Sequence, residues 1–173
     1  DNLELKSVGL QYLGNVLRSV GNLQRSNAVL RESLEILETP DSLLELGNTE
    51  RALSDSYLAT SQLQLAQQYT QRAIAHYQQA FEQGNNLQAG LNYLNLAIAI
   101  GKWSDISNLI PPINRAISSL PATRSNIYAR LNFARNLSCL TEIQSKNQLQ
   151  CVASLRREQL KQTLSTNPPK IEI

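Results

Sequence analysis

The feature that most constrains the fold is a residue pattern that returns at a spacing of about 40 positions along the chain. Apolar residues recur at this spacing in rows, two of which are Leu13, Leu53, Tyr93 and Phe133, and Leu17, Tyr57, Ala97 and Leu137. Within each unit, apolar residues lie three and four positions apart, which is typical of one face of a helix. The pattern therefore predicts consecutive units of two helices each.

Stacking of these units is expected because one helix pair cannot bury its apolar face alone, whereas neighbouring pairs can bury theirs against each other. A closed helical bundle is the alternative, but a bundle does not require one spacing to recur between pairs. The predicted fold is therefore all-α, an α-solenoid of about four antiparallel helix hairpins. We expect one repeat domain over 1–165, with units at about 5–39, 41–84, 86–119 and 121–165, and a C-terminal tail over 166–173.

Helix ends are predicted at short segments of turn-forming residues between the apolar runs. Gly21-Asn22 separates the two helices of the first unit, Gly84-Asn85-Asn86 ends the second unit, and Gly101-Lys102 separates the helices of the third. Ser42 and Glu45 have the spacing of a capping box at the start of the second unit. These segments predict the helix boundaries of the first three units.

Two adjacent prolines, Pro111 and Pro112, fall within the second helix of the third unit. Each proline removes a backbone donor and disfavours helical geometry in the preceding residue. We therefore expect a kink or a break near Ile110.

The two cysteines, Cys139 and Cys151, lie in the fourth unit. A hairpin that turned near Ser145 would let them face each other, but the repeat spacing predicts the turn near Thr141-Glu142. That position favours two free thiols, which is consistent with an intracellular protein.

The residues of three units resemble the tetratricopeptide repeat (TPR) family. They are Leu13-Gly14, Leu17, Gly21, Ser26, Leu30 and Ser33-Leu34 in the first unit, Tyr57, Ala66 and Ala73 in the second, and Gly101 and Trp103 in the third. The TPR unit has about 34 residues, so the longer spacing departs from the family, as do Lys146 and Gln150 in the fourth unit. The resemblance implies a right-handed superhelix whose first helices line a concave, peptide-binding face.

Three shorter stretches resemble the N-terminal TPR regions of bacterial proteins that carry a caspase-like CHAT domain downstream. They are residues 46–53, Trp103-Ser104-Asp105 and Tyr128-Ala129-Arg130. This resemblance implies that the chain belongs to a larger protein, and no part of it resembles the protease itself.

Residues suited to catalysis are few. The single histidine, His76, lies within a long helical run, where we expect a surface or groove-edge side chain, and one histidine excludes a histidine-rich metal site. The sequence has no glycine-rich phosphate loop, no Gly-x-Ser-x-Gly elbow and no metal-ligand spacing. We therefore predict a protein that is not an enzyme, with no catalytic residue, cofactor or metal.

The charge pattern argues against nucleic acid and membrane as partners. The 16 basic and 14 acidic residues give a net charge of +2 that is spread along the chain, whereas nucleic-acid binding needs clustered Lys and Arg. No segment approaches the roughly 18 apolar residues of a membrane span. We expect a cytoplasmic protein and, because the chain begins at Asp1, a fragment lacking its native N-terminus.

A polar row, predicted by carrying the TPR groove onto this chain, gives the candidate binding site. The candidate groove residues are Gln11, Asn15, Arg18, Arg51, Asp55, Asn92, Asn95, Asn132 and Arg135. Their amides can hydrogen-bond a peptide backbone without demanding a sequence, although a merely solvated face is the alternative. Gln11, Ala52 and Gln88 stand where the TPR clamp for acidic tails needs Lys, Asn and Lys, which argues against carboxylate-tail binding.

The sequence therefore predicts a scaffold that binds a protein or peptide segment on its concave face. The alternative is a regulatory arm of a larger multidomain protein, such as a CHAT-type protease, that packs against the catalytic domain. Self-association through exposed terminal repeats is a third option.

Overall fold

The computed structural model describes residues 2–37 and 42–144, which form helices joined by short turns. The helices are α1 (Asn2–Ser19), α2 (Leu23–Ile36), α3 (Leu43–Ala59), α4 (Leu63–Gly84), α5 (Leu87–Ile100), α6 (Trp103–Ser118) and α7 (Arg124–Gln144). Within these described ranges there is no strand, and the predicted all-α fold is confirmed. The tail 166–173 and the predicted second helix of the fourth unit lie outside the described residues.

The repeat spacing reappears in the turns between paired helices. Gly21, Ser61 and Gly101, spaced about 40 residues apart, all have positive φ, at 83°, 59° and 71°. After each of them the next amide donates to a carbonyl five residues earlier, with N–O distances of 2.8 to 2.9 Å. This is the Schellman arrangement that satisfies the last carbonyls of a helix. The sequence repeat therefore produces the same turn in three successive pairs.

The described residues fall into two compact units, with the division between residues 89 and 90. In the first unit, α1 packs on α2 and α3 on α4, while α3 also contacts α2 and α1. Its apolar core includes a cluster of Leu30, Ala52, Leu53, Tyr57 and Ala66, which joins α2, α3 and α4. Burial of these faces is the main contribution to the stability of a helix array.

Small side chains let paired helices approach closely in the first unit. Ser26 of α2 donates to the carbonyl of Gly14 in α1 at 2.8 Å, and Ser54 of α3 donates to the carbonyl of Ala66 in α4 at 2.9 Å. Gly14 and Ser54 are equivalent in the repeat, as are Ser26 and Ala66. The point where the two helices cross is therefore hydrogen-bonded in both pairs. The donor serine lies on the second helix of the first pair and on the first helix of the second pair.

Ser42 precedes α3 as its N-terminal cap residue, as predicted, but its side chain does not accept the capping hydrogen bond. The predicted capping box is therefore wrong in its hydrogen bonding, although the helix boundary is correct. Ser42 is buried at this helix start.

Much of α5 is buried, including Leu91, Leu94 and Ala97. Tyr93 of α5 donates its hydroxyl to Asp105 Oδ2 of α6 at 2.7 Å. Although burial raises the pKa of Asp105, hydrogen bonds from Lys102, Tyr93 and Ser104 outweigh it and lower that pKa. This polar contact links α5 to the first turn of α6.

Helix α6 continues from Trp103 to Ser118 through both prolines, so the predicted break near Ile110 is wrong. Its buried residues Ile106, Leu109, Ile113 and Ile117 follow a helical spacing. Pro111 is exposed and Pro112 is half-buried, and the carbonyls that the prolines leave unbonded belong to the exposed residues 107 and 108. Water can satisfy those carbonyls while the apolar face holds the helix together.

Cys139 is disulfide-bonded, so the prediction of free thiols is wrong for this residue. Helix α7 continues through Thr141 and Glu142 to Gln144, and the predicted turn at that position is also wrong. The other cysteine of the chain, Cys151, lies outside the described residues.

The disulfide can be tested by counting the reactive thiols of the protein before and after reduction. We expect no reactive thiol in the protein denatured without reductant, and two after reduction, because the chain has two cysteines. Titration with an aromatic disulfide reagent in denaturant measures both values. Two thiols before reduction, in protein purified without reductant, would contradict the disulfide.

Candidate functional site

The candidate groove residues all lie on the first helix of a hairpin. Gln11, Asn15 and Arg18 are on α1, and Arg51 and Asp55 are on α3, within the first unit. The remaining candidates lie within the second unit, with Asn92 and Asn95 on α5, and Asn132 and Arg135 on α7. The site therefore consists of two sets, each spanning two first helices.

In the first unit, polar side chains bridge α1 and α3. Arg18 Nη1 lies 3.7 Å from Asp55 Oδ2, and Arg18 Nη2 donates to Asn15 Oδ1 at 3.4 Å. Nearer the start of α1, Gln11 Nε2 donates to Thr49 Oγ1 at 3.0 Å. The structure therefore brings four predicted site residues into one polar seam between α1 and α3, over about two turns of α1.

The electrostatics of this seam are dominated by Asp55. Burial raises the pKa of Asp55, and the charges of Arg51 and Arg18 offset this rise only in part. Arg18 Nε is buried and has no hydrogen-bond partner among the described residues. The long ion pair and this unpartnered donor show that Arg18 is not fully satisfied by Asp55.

In the second unit, one amide pair bridges α5 and α7. Asn95 Nδ2 donates to Asn136 Oδ1 at 3.1 Å. Asn136 is buried, and its Nδ2 has no hydrogen-bond partner in the described part of the chain. The polar row of the sequence predicted Arg135 as the groove residue of α7, and Arg135 is exposed. Asn136 was missed because it lies one position beyond the row, where the other three units carry Val16, Ser56 and Leu96.

A buried pair that the sequence did not reveal joins α3 to α4. Glu50 is 3% exposed, and its Oε2 lies 2.7 Å from His76 Nδ1. His76, for which the sequence predicts a surface or groove-edge side chain, is half-buried. The two residues are distant in sequence and neither belongs to a motif, so no sequence signal could have paired them.

A second buried polar set connects three helices of the first unit. Ser7 and Ser33 lie 2.8 Å apart through their hydroxyls, and Ser33 Oγ lies 3.4 Å from Thr49 Oγ1. Since Thr49 also accepts from Gln11, the hydroxyl chain ends at a candidate groove residue. Buried hydroxyls that are satisfied in this way hold side chains in fixed positions.

Residues 2–37 and 42–144 contain no group of three or more His, Cys, Asp or Glu side chains that could hold a metal ion. Over the same ranges, every helix is too short or too polar to cross a membrane. Compared with protein-family models, with curated proteins and with solved structures, the chain matches none of them.

Proposed function

We propose that the chain is a non-catalytic scaffold that binds an extended segment of a protein on the surface formed by its first helices. The proposal includes a right-handed, TPR-like stacking of the hairpins, with the candidate groove residues facing the bound segment. The TPR resemblance and the repeated Schellman turns support this arrangement.

The observation that carries the proposal is the position of the polar side chains. Each of the two polar sets joins consecutive first helices, through Arg18 and Asp55 in one unit and through Asn95 and Asn136 in the other. Side chains held in place by such contacts lose little conformational entropy when they bind a ligand.

The chemistry of the set favours a neutral or weakly charged segment. Amide groups both donate and accept hydrogen bonds, which matches the N–H and C=O groups of an extended backbone. Asp55 lies close enough to Arg18 and Arg51 for their charges to act on it, so the three side chains together carry only a small net positive charge, and their preference for an acidic ligand is weak. Recognition would then depend on backbone hydrogen bonds and on shape.

Binding can be tested with an immobilised library of extended peptides of about 12 residues, long enough to span several repeats of a groove. Peptides bound by the wild-type chain are measured again with a groove variant, Asn15→Ala, Asn132→Ala and Arg135→Ala. We expect its affinity to fall by about tenfold or more, because several hydrogen bonds worth about 1 kcal/mol each are removed.

The matched control replaces three exposed amides on a second helix, Gln64→Ala, Gln67→Ala and Gln71→Ala. This variant should bind like the wild type, because α4 is not a first helix. Equal losses in the two variants, or no peptide binding by the wild type, would contradict the proposed groove.

A further inference from the structure

Helix α1 exposes a continuous apolar surface, which we call the α1 stripe. It consists of Leu5, Gly9, Tyr12, Leu13, Val16 and Val20, whose larger members are 43% to 72% exposed. Their spacing places them within an arc of about 100° on one face of the helix. A Cβ added at Gly9 would meet no atom within 4 Å, so the surface beside this residue is open.

At the equivalent positions of the next repeat, on α3, another helix packs against the apolar face. Tyr12, Leu13 and Val16 of α1 are equivalent to Ala52, Leu53 and Ser56 of α3. The α3 residues are each 4% exposed or less, and α2 packs on α3 with Leu30 in the same apolar cluster as Ala52 and Leu53. On α1 the equivalent face is open, and it carries larger apolar side chains than α3 does.

The geometry points to a second copy of this chain as the partner of the α1 stripe, paired through an antiparallel α1–α1 contact. The stripe is symmetric about the midpoint between Tyr12 and Leu13. Reversal about that point places Leu5 opposite Val20 of the other copy, Gly9 opposite Val16, and Tyr12 opposite Leu13. The pairing is reciprocal, as an isologous two-fold contact requires, and each pair sets a larger side chain against a smaller one, which lets the two faces interdigitate.

Charge and size agree with self-association. The stripe has no charged residue, and nearby Lys6 pairs within its own chain with Glu32 at 2.9 Å. The same reversal places Lys6 opposite Ser19, so no like charges meet. The exposed stripe amounts to on the order of 600 Å², somewhat below the roughly 800 Å² per partner of a standard interface. We therefore infer a reversible dimer with a dissociation constant in the micromolar range.

Sedimentation velocity of the full 173-residue chain across about 1 to 300 µM tests the dimer, because this range brackets micromolar dissociation. We expect the weight-average mass to rise towards twice the monomer mass. Tyr12→Glu should weaken association by at least about tenfold, because it brings two carboxylates together near the two-fold axis. A wild-type chain that stays monomeric throughout, or a Tyr12→Glu variant that associates unchanged, would overturn the inference.

Two further measurements separate the dimer from unfolding and from other surfaces. Leu63→Glu places the same charge on an exposed leucine of α4 outside the stripe, and it should associate like the wild type. Mixing Tyr12→Glu with Tyr12→Lys should restore association, since opposite charges then meet across the axis. Circular dichroism confirms that each variant is folded, and failure of the mixture to associate would exclude the two-fold pairing.

Discussion

Replacement of Gly47 by alanine is expected to destabilise the chain by about 2 kcal/mol, since overpacking a core typically costs 1–3 kcal/mol. A Cβ at Gly47 would lie 2.6 and 2.7 Å from two ring carbons of Tyr77. The ring cannot yield easily, because Tyr77 is fully buried and its hydroxyl donates to Asn48 at 2.8 Å. Urea denaturation followed by circular dichroism measures the change.

The control for this substitution is Gly84→Ala at the end of α4. A Cβ at Gly84 would meet no atom within 4 Å, so we expect a change of only a few tenths of a kcal/mol, in the stabilising direction. Equal stability of the Gly47→Ala and Gly84→Ala variants would show that α3 and α4 are not as close at Gly47 as described.

Replacement of His76 by alanine is expected to destabilise the chain by about 3 kcal/mol, the lower end of the cost of leaving a buried charge unpaired. Glu50 is buried, and His76 Nδ1 is 2.7 Å from its carboxylate. We take the lower end because His76 is partly exposed, so that water can reach the carboxylate once the ring is removed. Chemical denaturation at neutral pH provides the measurement.

A double-mutant cycle with Glu50→Gln assigns this cost to the pair. In the Glu50→Gln background no charge is left behind, so His76→Ala should cost at least about 1 kcal/mol less than in the wild type. His76→Asn, which retains a donor near the position of Nδ1, should lose less stability than His76→Ala. An identical cost of His76→Ala in both backgrounds would rule out coupling between the two residues.

The helix boundaries were predictable because they depend on local chemistry. The Gly21-Asn22 and Gly101-Lys102 turns and the stop at Asn85, whose φ is 47°, lie where the sequence places them. Glycine and asparagine adopt positive φ at low cost, so such residues end helices with little influence from the rest of the fold.

The prediction failed where neighbouring structure outweighed local preference. Pro111 and Pro112 disfavour a helix, yet four buried residues on the other face of α6 keep it continuous. The extension of α7 to Gln144 is a similar case, because Leu140 and Ile143 are buried in its last turns. Burial of each apolar side chain contributes about 1.5–3 kcal/mol, comparable to the cost of a proline in a helix.

The candidate site was predictable only as a set of helices. The repeat assigned the polar residues to first helices, and all nine lie there. It did not show that Arg18 meets Asp55, or that Asn95 meets Asn136 rather than Arg135. Which side chains touch depends on the rotation and offset of neighbouring helices, and shifts of one residue around a helix change the partner.

The sequence by itself determined the helical content, the turns that divide it and the repeat that relates one hairpin to the next. These follow from apolar spacing and from turn residues, which act over a few neighbouring positions. Only the tertiary structure decided that Glu50 and His76 share a buried contact, that Gly47 must remain small beside Tyr77, and that the apolar face of α1 stays open. Those properties arise from residues distant in sequence, whose contacts depend on how the helices pack.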